Sequence, residues 1–519
     1  MALLPNLDKR PNLFSAIAIG IASIVGSGWL FASYKAAKFA GPISILSWVI
    51  GAALSLLIAL LLAEIATIFH KETGLFSRLI TITHNRDYGF IVSASNWLSM
   101  VVSIPGEAEA SLQYLAMAFP SISPLIFAND HFTPVGILCV FVVLIGYGIL
   151  NYWGIKLLTK ANNGITTIKL VVPALTAIII FFAAFHPGNF ISFHNSIAPY
   201  GYSKAFTAVV TCGIFYSFYG FSMITIFAKE LKNPQRNIPL ALGGSVIICL
   251  IIYLMLQISF IGAINPSTIA QNGWHSLSFS SPLAQLAILL GINWLSLVLY
   301  VDAAISPSGT GIIYLGSGTR MFSGMAEDGQ MPKAFAKEHP VHKMSRLSLL
   351  LTLGVCMVLV ICFDSWDKVM IIVSIFQLIA CIAVPVAFLK IRLDHLYQNR
   401  TFKMPLGFLC SYIVYLFITY LLTQSGTTSL EISLAFHLAF FLVYCTVYYQ
   451  KLYLTLKAFL SAWSMFVYLL LVVVFAYLHE LHKLHTPLGL LSFIVIMSIN
   501  FYFLIHQKSY NKKELVHKP

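Results

Sequence analysis

The sequence predicts an all-α polytopic membrane protein with fourteen spans: ten arranged as two inverted five-helix repeats, and four appended helices. Three observations predict it. Hydrophobic residues make up 59% of the 519 and charged residues only 9%, where soluble domains carry about a quarter charged. Basic residues fall almost entirely on alternate connections between the apolar stretches. Two of those stretches, five apart, are interrupted by glycine and polar residues at matching points.

A membrane helix needs about 20 predominantly apolar residues. Such stretches cover 13–33, 43–69, 88–118, 134–152, 165–185, 205–228, 239–264, 285–318, 347–363, 368–390, 406–424, 428–449, 455–478 and 486–506, with 347–363 and 406–424 the most marginal. Of 31 Lys and Arg, 25 lie at the N-terminus and on alternate connections, from Lys9 and Arg10 through Arg320 to Lys518. Lys204, Lys368 and Lys483 lie on the other side, and Lys35, Lys38 and Lys169 in or near spans. This asymmetry puts the basic side and both termini in the cytoplasm. An odd number of spans would scramble it. The net charge of +13 follows from the same bias and implies no nucleic-acid partner.

The first span lacks an A-x-A cleavage site and is followed by further spans, so no cleavable signal peptide is expected. The eight cysteines lie mostly inside spans without a C-x-x-C pair, and read as inert thiols rather than disulfides or metal ligands. The longest polar stretch, Arg320 to Arg346, is too short for a soluble domain.

The interruption in the first span is Gly26-Ser27-Gly28; in the sixth it is Phe215-Tyr216-Ser217-Phe218-Tyr219-Gly220-Phe221. Gly28 precedes Pro42 by fourteen residues, and Gly220 precedes Pro234 by the same number. Unwound backbone at membrane depth is tolerated only where it lines a protein cavity. Matching broken segments in two halves point to an inverted-repeat carrier. Close helix packing through small residues is the alternative use of such glycines. The organisation that follows is a cytoplasmic N-terminus over 1–12, a first repeat over 13–185 and a second over 205–390. Four appended spans cover 406–506, and a cytoplasmic tail 507–519.

The run from Gly20 to Phe31 resembles the first-span signature of the amino acid–polyamine–organocation permeases. So does Tyr216 to Phe221 followed by Glu230-Leu231-Lys232-Asn233-Pro234-Gln235-Arg236-Asn237-Ile238-Pro239, and so does Ser317 to Gly329 after span eight. Asn151 to Lys156 and the extra C-terminal spans are most similar to the bacterial aspartate:proton symporter branch. The pair of spans beyond the family's usual twelve is a departure. The resemblance implies a leucine-transporter-like fold, with substrate held at the unwound backbone of spans 1 and 6. No cofactor is implied.

An amino acid brings a carboxylate and an ammonium into a dry midplane, and both must be hydrogen-bonded there. Freed amides at a half-helix N-terminus suit the carboxylate; Ser27, Gly28 and Trp29 are the candidates, with Gly26 a further substrate-binding residue of the same break. Freed carbonyls of Ile24, Val25, Phe215, Tyr216 and Ser217 suit the ammonium, with Tyr219 and Gly220 completing the second break; the resemblance implies that Tyr216 is an aromatic lid over the substrate. Tyr216 can equally be a packing residue in so aromatic a chain.

Lys169 lies inside span five. An ammonium held away from water is costly, so a lysine there can exchange a proton. The resemblance implies that it replaces the sodium ion of sodium-driven carriers and bridges spans 1 and 8; a snorkelling lysine is the alternative. Glu107 and Asp302 are the expected proton partners, as intramembrane acids. Glu109, two residues from Glu107, points about 200° away on a helix. Glu64 and Glu230 are expected to pair with Lys or Arg, and the hydroxyls of Ser306 to Thr310 to face Lys169. Lys35 and Lys38 read as interfacial anchors, with anion capture the other option.

The expected function is proton-coupled uptake of amino acids, acidic ones first, by alternating access across the bacterial plasma membrane. The partners are a small-molecule amino acid, a proton and the lipid bilayer; the oligomeric state is not specified. An amino acid/amine exchanger and a non-transporting sensor share the same residues as alternatives. An enzyme is excluded on motifs, since no G-x-S-x-G, H-E-x-x-H or Walker loop occurs.

Overall fold

The computed structural model describes residues 12–69, 75–128, 131–153, 156–191, 193–340, 344–363, 365–394, 401–449 and 451–507. The terminal segments expected in the cytoplasm, 1–11 and 508–519, lie outside the described residues, as do the side chains of 154–166 and 226–230, Glu230 among them.

The described chain is mostly helical. Among the described residues, nine helices are long and apolar enough to cross a membrane, or ten if the bent pair Lys204–Thr211 and Ile214–Thr225 is one span. Further expected spans occur as shorter or interrupted helices, including Leu13–Ile24, Arg346–Cys362 and Gly407–Thr423. The outer helices carry exposed aliphatic rows, such as Leu138, Val142, Ile145 and Ile149 on Pro134–Tyr152, the surface that hydrocarbon solvates.

The Arg86–Met117 helix forms the central post and is buried along its apolar window. Asn85 caps it, its side-chain oxygen accepting from Tyr88 N at 2.8 Å. The helix continues through Pro105. It packs most extensively against Asn293–Glu327 and Trp366–Cys381. Pro234–Ala263 packs against Leu13–Ile24, Ser44–Ile68 and Lys156–Ala183. Around this post lie the two broken segments. The first is Leu13–Ile24, then Val25-Gly26-Ser27, then Gly28–Ala40. The second is Lys204–Thr211, a left-handed Gly213, Ile214–Phe218, and then Tyr219-Gly220 leading into a 3₁₀ stretch, Phe221–Glu230. The two helical parts of the second segment meet at 62°.

Candidate functional site

A broken helix leaves carbonyls at one new end and amides at the other. At the first break both sets are taken by side chains from distant helices. Lys169 Nζ donates to Val25 O at 2.8 Å, Ala22 O at 3.1 Å and Thr310 Oγ1 at 2.5 Å. Tyr314 Oη donates to Ser23 O at 3.1 Å. A cation on these carbonyls is favoured by the helix dipole. On the amide side, Ser27 N donates to Glu107 Oε2 at 2.8 Å. Tyr216 Oη donates to Glu107 Oε1. Trp366 Nε1 donates to Ser27 Oγ at 3.1 Å. Gly26 is what lets the carboxyl approach: a Cβ there would lie 2.3 Å from Glu107 Oε1. Ser27, Glu107 and Lys169 are all buried.

The second break is built from neutral groups. Ser217 Oγ donates to Gly213 O at 2.8 Å, and Tyr253 Oη to Ser217 O at 3.0 Å. Gly220 sits at φ 109°, and a Cβ there would lie 2.3 Å from Ser23 O, so the two breaks touch through bare backbone. Gly28 meets the second break in the same way, its absent Cβ making room for Ser217 Oγ. Phe215 is buried. Tyr219 turns aside, its hydroxyl donating to Asn96 Oδ1 at 2.6 Å on the central post.

Of the residues expected at the site, Ile24 to Gly28, Tyr216, Ser217, Gly220, Lys169 and Glu107 therefore lie together. The Ser27 amide, expected to be offered to a substrate carboxylate, is bonded to the carboxyl of Glu107 instead. Asp302 is buried two turns before Thr310 on the same helix, and its carboxyl oxygens accept no hydrogen bond among the described residues. Within the Ser306–Thr310 segment only Thr310 reaches Lys169; Ser308 bonds Ser111 and Tyr147. Glu64 pairs with Arg392 at 2.6 Å. Lys35 pairs with Asp367 at 2.5 Å, and Lys38 reaches Tyr34 Oη at 3.4 Å.

Sequence reasoning missed the layer that covers the site. Phe31 stacks on Trp366 with ring centroids 4.8 Å apart and meets Tyr114 edge-on at 5.3 Å. The Lys35–Asp367 pair lies beside it. The available signal was Trp366-Asp367, a polar-tipped aromatic and an acid opening the tenth span, nine spans beyond Ser27, Phe31 and Lys35. Among the described residues no three His, Cys, Asp or Glu are grouped to hold a metal ion.

A family model described as amino acid permease matches residues 12–439. The chain belongs to this family. The glutamate/serine transporter AimA of Bacillus subtilis is 40% identical over 418 residues, 79% of this chain and 77% of that one. The aspartate-proton symporter of the same organism is 30% identical over 507 residues, 96% of each chain. The branched-chain amino acid permease BcaP, also from B. subtilis, is 24% identical over 410 residues, 77% of this chain and 84% of that one. The permease is thus a multi-pass membrane protein related to transporters, not to enzymes. Its likeness to the symporter runs past residue 439, where the family model ends, into the final helices.

Proposed function

We propose that this permease takes up acidic amino acids together with a proton, by alternating access across the bacterial plasma membrane. One observation carries the reading: a carboxyl already occupies the amide end of the first break. Glu107 sits on Ser27 N and accepts from Tyr216, where a substrate carboxylate would be held. Two carboxylates cannot share that niche without strong repulsion. Protonating Glu107 makes it a poorer acceptor and frees the Ser27 amide, because bonds to ionised groups are the strong ones. Proton uptake then favours substrate binding, and release of both resets the site. Lys169 holds the carbonyl end in place of a metal cation, and Asp302 is a second proton-accepting group two turns before Thr310 on span eight.

The arrangement fits fourteen spans. Residues 13–185 and 205–390 form inverted five-helix repeats of the leucine-transporter type, 406–506 are appended, and the basic side faces the cytoplasm. The matched breaks support this arrangement, and the two B. subtilis relatives, a glutamate/serine transporter and an aspartate-proton symporter, support the substrate class and the coupling.

The test is uptake of radiolabelled glutamate, aspartate and serine into proteoliposomes at two external pH values. Acidic-substrate uptake that rises with an inward proton gradient supports the reading. Uptake that ignores the gradient and requires internal substrate would assign the protein to exchange instead.

A further inference from the structure

A second polar site lies away from the breaks, where the start of the central post meets the last helices. A cavity of about 600 Å³ opens there between Asn85, Asp87, Lys457, Trp463, Phe503 and His506, among others, within the roughly 300–1,000 Å³ usual for small-ligand sites. Its inner end is a carboxyl. Asp87 is buried and accepts from Tyr444 Oη at 2.5 Å and Tyr449 Oη at 2.6 Å on one oxygen, and from Ser461 Oγ on the other. A carboxylate offers about four acceptor positions, so the oxygen facing Ser461 keeps one.

The rim has the opposite sign. Lys457 is exposed and makes no hydrogen bond or ion pair among the described residues. His506 stacks on Tyr502, with its Nδ1 bonded to Tyr502 O. The wall is amphipathic. Leu460 is 70% exposed, and Trp463 and Phe503, whose rings meet at 5.1 Å, are each over a third exposed. Leu460 and Lys457 belong to Leu452–Ser461, a short helix with Leu452, Leu456 and Leu460 uncovered, lying between two longer apolar helices. Aromatic and basic residues around an apolar edge mark the level of lipid headgroups.

We propose that this cavity binds the headgroup of an ethanolamine phospholipid. The ammonium lies toward Asp87, the phosphate toward Lys457 and His506, and the acyl chains leave past Leu460, Trp463 and Phe503. Carboxyl inside and ammonium outside match a zwitterion of that order. Choline lacks N–H donors for Asp87, and a glycerol headgroup lacks the cation. The site rests on the membrane-spanning architecture and not on the proposed substrate, so a failure of the uptake assay leaves it standing.

The test is native mass spectrometry of the full chain, extracted from vesicles of phosphatidylethanolamine and phosphatidylglycerol. In parallel vesicles, phosphatidylcholine replaces the ethanolamine lipid. The expected result is retained phosphatidylethanolamine, no retained phosphatidylcholine, and about fivefold lower occupancy in Lys457→Glu. Lys333→Glu, an exposed lysine elsewhere on the basic side, controls for general surface charge and leaves occupancy unchanged. Lys457→Ala is measured alongside, to cover a folding defect in the charge reversal. Equal retention of all three lipids, wild-type retention in a folded Lys457→Ala, or an equal loss in Lys333→Glu overturns the site.

Discussion

The two helix breaks solve one problem with different chemistry. Each leaves backbone groups unpaired inside an apolar body, at a cost of several kcal/mol per group if nothing replaces the lost bonds. At the first break the replacements are ionisable: Lys169 on the carbonyls and Glu107 on the Ser27 amide. At the second they are hydroxyls and glycine geometry: Ser217, Tyr253 and the positive φ of Gly213 and Gly220. A neutral network holds the same shape at any pH. An ionisable one changes strength when a proton arrives. In the proposed mechanism the second break is scaffold and the first is the switch.

Substitutions can break this contrast, and the largest expected effect is at Lys169. Lys169→Ala removes three hydrogen bonds to a charged donor, each worth about 1.5–3 kcal/mol. Uptake falls below detection in proteoliposomes while size-exclusion elution of the purified protein is retained; pH-dependent uptake in that variant would refute the switching role. Gly220→Ala comes next and acts on the other side of the contrast. Positive φ costs an L-residue about 1–2 kcal/mol, and the added Cβ collides with Ser23 O. The expected outcome is a large loss of folded protein, read by fluorescence-detected size exclusion, with no change in the pH profile of whatever folds.

Glu107→Gln separates charge from shape. The amide still accepts from Ser27 N but no longer titrates. The proposed mechanism expects wild-type affinity to rise as pH falls, because the protonated carboxyl releases the amide. In the variant the apparent KM becomes flat with pH, and a KM that keeps its slope would move the proton elsewhere. Trp366→Phe is the mildest. It keeps the stack on Phe31 but loses the bond to Ser27 Oγ, worth about 1 kcal/mol. Apparent affinity shifts by about fivefold, with the pH slope preserved.

The contrast also explains what was legible beforehand. Gly26-Ser27-Gly28 and Tyr219-Gly220 stand out because helix-breaking residues are conspicuous in an apolar run, a local signal. Lys169 stands out for the same reason, as a charge in a span. Which atoms meet it is not local. Lys169 lies 144 residues from Val25 and 141 from Thr310, and Glu107 lies 80 from Ser27. The Trp366 and Asp367 cover is over 300 residues from Ser27 and Lys35. The Asp87 cluster drew no attention in the sequence because one acid at a helix start reads as an ordinary first-turn charge; its hydroxyl partners arrive more than 350 residues later.

Sequence alone determined the membrane-embedded class, the positions where the helices come apart and the family, because hydropathy, breaking residues and short motifs are properties of neighbours along the chain. Tertiary structure alone decided that a carboxyl of the protein itself fills the amide niche, which carbonyls Lys169 takes, and that the last helices close a second polar cavity over Asp87. Those pairings come from packing between distant helices, and in a medium that offers no water each unpaired group must find its partner there.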